Sequence, residues 1–134
     1  MAIDRLTICR WLGPTRQDRD AVHPSWNYVA DSIRALNGAD LNDLYLYPNR
    51  TESAWLAVGG GSGGYVVTGA DPEGRFPMLV TLRDCHVDSI ELMIGGQVSD
   101  YPARHVVSLE EAITAAKAFY DAGGFECGVE WSYG

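Results

Sequence analysis

The segment from residue 44 to residue 107 constrains this chain most, because its apolar residues alternate with period two and its connectors are all short. Five candidate strands, at 44–47, 54–58, 65–68, 78–83 and 89–94, are separated by turn-rich pieces such as 59–64, 71–74 and 84–88. A parallel pair needs a crossover of about a dozen residues or more, so neighbours joined this closely pair antiparallel. The middle of the chain is expected to be a β-meander.

On either side the period changes. Pro24 and Ser25 open a helix predicted over 25–37, with Trp26, Val29, Ala30, Ile33 and Leu36 on one face and Asn37 and Gly38 as its stop. Ser108, Leu109, Glu110 and Glu111 form a capping box. The helix it starts carries Leu109, Ala112, Ile113, Ala116, Phe119 and Tyr120 as its apolar stripe and ends at Gly123 and Gly124. Residues 3–10 read as a strand, 13–22 as a charged loop, and 126–131 as a final strand with Val129 and Trp131 on one face. Two amphipathic helices must each cover a sheet face. The fold class is therefore α+β, a single domain over residues 1–134 in the order β–α–β-meander–α–β. Trp26, Trp55, Phe119 and Trp131 are the expected core anchors.

Composition then narrows function. The chain is 46% hydrophobic and 21% charged, which excludes a wholly disordered polymer. No apolar run approaches the ~20 residues of a membrane span. The first residues, with Asp4, Arg5 and Arg10, do not read as a signal peptide. Cys9, Cys85 and Cys127 are widely spaced and suit buried thiols in a reducing compartment, so the expected location is cytoplasmic. The net charge of −8 opposes direct contact with nucleic acid or anionic lipid and favours a basic partner.

Residues resembling chemical motifs fail on context. The glycine run fits the dinucleotide fingerprint as Gly59, Gly61 and Gly64, and the nucleophile elbow as Gly60, Ser62 and Gly64. Both motifs work at a strand–turn–helix, and here Tyr65, Val66 and Val67 continue as strand. The run is expected to be a flexible hairpin tip, with Gly61 and Ser62 available for partner contact. Cys85 and His86 are adjacent and would point to opposite faces of a strand, and His23 and His105 have no partners at metal-ligand spacing. No cofactor or metal is expected. Glu110 and Glu111 are accounted for by the helix dipole. Asp71, Glu73, Asp84, Asp88 and Glu91, in or beside the meander turns, remain as candidate interface residues, with Tyr101 before Pro102.

Several elements also form a recognisable set. They are Trp26, Asn27, Tyr28 and Val29 in the first helix; Ala54, Trp55, Leu56, Ala57 and Val58 running into Gly59 and Gly60; Tyr101, Pro102 and Ala103; residues 107–112 with Phe119 and Tyr120; and the closing Val129, Glu130 and Trp131. In these the chain resembles the first of the Imm families of bacterial polymorphic-toxin immunity proteins. The resemblance implies an α+β fold, no enzymatic activity, no catalytic residues, and a cognate toxin domain as partner. Such toxins often act on nucleic acid, as deaminases do, and need a basic groove that an acidic inhibitor could fill. The rival expectation is a small α+β enzyme or ligand-binding domain with its pocket between sheet and helices.

Overall fold

The computed structural model describes residues 3–125 and 129–133. Among these residues, nine strands and two α-helices follow one another as β1 (Arg5–Leu12), β2 (Thr15–Val22), α1 (Trp26–Arg34), β3 (Leu41–Tyr47), β4 (Trp55–Gly60), β5 (Tyr65–Ala70), β6 (Pro77–Leu79), β7 (Ser89–Ile94), β8 (Gln97–Pro102), α2 (Leu109–Ala122) and β9 (Trp131–Tyr133). Seven strands form one antiparallel sheet in the order β2-β1-β3-β4-β5-β6-β9, and β7 and β8 form a separate hairpin. The expected α+β class is what the molecule has.

Both helices lie on one face of the sheet. Leu6, Leu44, Leu46, Leu56, Val58, Val67 and Leu79 project from the strands into a core closed by Val29 and Ile33 of α1 and by Ala112, Ala115, Ala116 and Phe119 of α2. The alanines of α2 bring that helix close to the sheet, while Leu109, Ile113 and Tyr120 sit at the core margin. Ser25 caps α1 through the Tyr28 amide, and the capping box of α2 is complete, with Ser108 and Glu111 each bonding the other's backbone amide. The Tyr120 hydroxyl donates to Pro24 O at 2.8 Å and its ring meets Trp26 edge-on at 5.5 Å, which ties the start of α1 to the end of α2.

Three parts of the sequence reading need correction. The expected loop at 13–22 contains β2, paired with β1 over its whole length. An edge strand exposed on both faces has no apolar alternation to reveal it, and its charges are what an edge carries to discourage further pairing. The meander also breaks after β6, which is only three residues long and pairs with β9, leaving β7 to pair with β8. The expected final strand at 126–131 shifts: β9 begins at Trp131, and 126–128 lie outside the described residues.

The glycine run is not a free hairpin tip. A Cβ on Gly61, at φ +125°, would lie 2.5 Å from the Leu36 backbone, so the loop between β4 and β5 is seated on the segment that follows α1. Cys85 is exposed rather than buried.

Candidate partner-binding surface

The second face of the main sheet is half covered. At one end the β7–β8 hairpin lies across it, with Leu92 joining Val66 and Val106 in a small second core. The hairpin approaches closely because Gly59 presents no side chain: a Cβ there would lie 2.5 Å from Ile94 Cγ2. At the turn, the Gly96 amide donates to Asn42 Oδ1 at 3.2 Å, and the Gly96 backbone lies against the Trp11 ring. Trp11 Nε1 in turn donates to Asp43 Oδ1 at 3.0 Å. Burial pushes the Asp43 carboxyl above its ordinary range despite that bond.

The remaining half of this face is uncovered among the described residues. Strand β3 alternates, sending Leu44 and Leu46 to the core and Asp43, Tyr45 and Tyr47 to the other side, and Trp55 joins the tyrosines from β4. Arg5 lies over the Tyr47 ring and bridges to Glu52 at 3.0 Å. Asp20 on β2 accepts from the Thr7 hydroxyl, and Asp18 is bridged to Arg16. Burial, with the Asp43 charge two residues away on the same side of β3, pushes the Tyr45 phenol up to about 12.

A second exposed surface is the outer side of the hairpin. Leu92 faces inward, so Glu91 and Met93 face out. The register sets Glu91 opposite Asp100 and Met93 opposite Val98. The carboxylates of Glu91 and Asp100 have no ion pair among the described residues. Asp84 and Asp88, in the loop leading to β7, are also exposed and without an ion pair among the described residues. The start of that loop is held by Glu111 of α2, which accepts from Thr81 Oγ1 and from the Leu82 amide at 2.9 Å each. Burial alone would push Glu111 up. Hydrogen bonds from the Ser108 and Leu82 amides and from Thr81, with Arg83 alongside, outweigh it and hold the carboxyl below its ordinary range.

The candidate residues from sequence thus separate. Asp84, Asp88 and Glu91 fall together on the hairpin and its approach. Tyr101 lies opposite Ile90 on the hairpin's inner side, half-buried. Asp71 is buried and occupied in its own turn, where it accepts from the Glu73 and Arg75 amides and from Arg75 Nε at 2.6 Å; Glu73 is exposed beside it. Gly61 is consumed by contact with Leu36, just past α1, and Ser62 is exposed next to Gly38. Of the expected core anchors, Phe119 is fully buried. Trp26 and Trp131 pack at the core margin, Trp131 edge-on to Phe125 at 5.1 Å. Trp55 is on the other side of the sheet altogether.

Tyr45, Tyr47, Asp20, Glu52, Met93, Val98 and Asp100 escaped the sequence reading. The alternation of Asp43, Tyr45 and Tyr47 with two leucines was the signal available for the first two. Cavities of about 400 and 430 Å³ flank the helices, and in the second Ser108 is the α2 cap while Glu111 is engaged as above. Among the described residues no cluster of His, Cys, Asp and Glu could hold a metal ion, and no helix is long and apolar enough to cross a membrane.

A family model described as Immunity protein Imm1 matches residues 3–133. No curated protein and no solved structure matches.

Proposed function

The chain belongs to the Imm1 family of immunity proteins, and on that premise we propose that it neutralises a toxin domain acting on nucleic acid, such as a deaminase, by covering the basic groove that receives the substrate. It acts in the cytoplasm as a stoichiometric inhibitor rather than a catalyst. The observation that carries this reading is the Glu91–Asp100 pair. Like charges directly opposite on a ladder destabilise the sheet, and these two have no counter-ion of their own among the described residues. A basic partner supplies one. Asp84 and Asp88, exposed in the loop that leads into β7, add negative charge beside the hairpin, and Met93 with Val98 gives its outer side an apolar centre to desolvate. Glu73 and Ser62, on other parts of the surface, are outlying contacts in this reading, while Asp71 shapes the turn that carries Glu73, Gly61 seats the loop that carries Ser62, and Tyr101 packs on the inner side of the hairpin.

Specific complexes of this kind bury on the order of 1,600 Å². The hairpin and its approach would be the centre of such a patch. The test is to express the toxic domain encoded beside this chain with and without it. Restored growth and a complex that co-purifies support the reading; growth arrest in both cases and no complex would overturn it.

A further inference from the structure

The uncovered half of the main sheet carries a surface that the acidic hairpin does not account for. Tyr45 and Tyr47 stack with centroids 6.3 Å apart and planes 17° apart, and Trp55 meets Tyr45 edge-on at 5.8 Å. Each ring is half-buried, with its strand neighbours turned into the core. Clustered tyrosine and tryptophan on an otherwise uncovered face is the make-up of a binding hot spot.

One ring already shows what this surface accepts. The Arg5 guanidinium lies 4.3 Å from the Tyr47 centroid and is tied to Glu52 at 3.0 Å. A planar cation on an aromatic face with a carboxylate at its edge combines cation–π attraction with a charge-assisted bond. Next to it, Asp18, Asp20 and Glu52 rim a cavity of about 260 Å³ whose walls include Tyr45 and Tyr47. Asp18 and Glu52 are bridged to Arg16 and Arg5, whereas Asp20 accepts only the Thr7 hydroxyl and has no ion pair among the described residues. Three carboxylates thus face two guanidiniums around the cavity, so the site has negative charge to spare.

We infer that the Tyr45 ring, with Trp55 at its edge, receives an arginine side chain from a protein partner, with the guanidinium laid on Tyr45 inside this cavity and its charge met by Asp20. For the partner's identity this rests on the immunity reading, and the occupant is then an arginine of the toxin domain. Lysine fits less well, because its ammonium is compact, strongly hydrated and unable to lie flat on a ring. A second copy of this chain is disfavoured, since two bodies of charge −8 repel.

The experiment has two arms. The full chain is titrated with the blocked tripeptide Gly-Arg-Gly and with its lysine and citrulline counterparts, following the Trp55 indole N–H signal, assigned by its loss in Trp55→Leu. The arginine peptide should shift that signal at several-fold lower concentration than lysine, citrulline should leave it in place, and Asp20→Asn should remove the difference. In the second arm, affinity for the neighbouring toxin domain is measured. Trp55→Leu and Tyr47→Leu should each weaken it about tenfold, and Asp20→Asn, at an exposed edge, serves where a ring variant does not fold. An equal response to citrulline, no response to arginine, or a signal that moves only with protein concentration overturns the inference. If the wild-type chain binds no toxin domain, the immunity reading fails while the peptide arm still decides the arginine site. If Trp55→Leu and Asp20→Asn bind the toxin as tightly as wild type, the arginine site fails and the immunity reading stands.

Discussion

Glu91 stands directly opposite Asp100 across the β7–β8 ladder, on the side of the hairpin turned away from the protein. The fold gains nothing from that pair. Replacing Asp100 with lysine exchanges repulsion for attraction and should stabilise the chain by up to about 1 kcal/mol. The same change should weaken toxin binding, chiefly through slower association. Urea melts and stopped-flow association of one variant test both halves. A variant more stable and equally fast would remove the hairpin from the interface.

Association with a basic toxin should be steered by charge. Its rate is expected to fall steeply between low and physiological ionic strength, as exposed charges are screened over about 8 Å at 0.15 M. Replacing Asp84, Asp88 and Glu91 together by their amides should slow association about tenfold and flatten its salt dependence, with dissociation little changed. Rates insensitive to salt in the wild-type chain would discard steering.

Glu111 joins two duties, capping α2 and holding Thr81 and Leu82 in place. Its carboxyl sits below the ordinary glutamate range, so it contributes stability that is fully present above about pH 4.3 and is lost as the pH falls through the lower folded value. Glu111→Gln should cost about 1–3 kcal/mol at neutral pH and show a shallower acid loss, so the two denaturation curves converge at low pH. Curves that stay parallel to pH 2.5 would contradict this assignment.

Gly61→Ala should be far more damaging than Ser62→Ala, one residue on. The first forces a side chain into the Leu36 backbone at a left-handed φ and should cost about 2 kcal/mol or more, while the second changes an exposed atom and should stay within about 0.5 kcal/mol. Thermal melts of the two variants decide it.

The two described cysteines should react very differently. Burial, reinforced by the Asp43 and Asp18 charges, pushes the Cys9 thiol up to about 12, whereas Cys85 is exposed. In a Cys127→Ser background, a thiol reagent at pH 8 should modify Cys85 in the native state and reach Cys9 only on unfolding. Equal rates would mean that the cover over Cys9 opens readily.

What sequence could convey follows from how each element is buried. Both helices and the capping box were legible because one apolar stripe and one pair of side chains specify them locally. Strand β2 was not, since exposure on both faces leaves no alternation to read. Nor could any local pattern show that β7 leaves the main sheet and lies across it, because that close approach depends on Gly59, on another strand, giving Ile94 room. Trp55 was misplaced for a related reason. A tryptophan in a strand signals burial of some kind, and only the register says on which side. Asp71 looked like a surface charge, yet its turn folds the chain back onto it.

Strand β2 has a consequence beyond its place in the order. It is the long free margin of the main sheet, and Arg16, Asp18, Arg19 and Asp20 line it with alternating charge. A sheet with a row of half-exposed aromatic rings and an unprotected margin would be prone to grow sideways, strand by strand, into a polymer of itself. The charges along β2 oppose that growth, so the aromatic face can stay open to a partner without the neighbouring margin recruiting further strands.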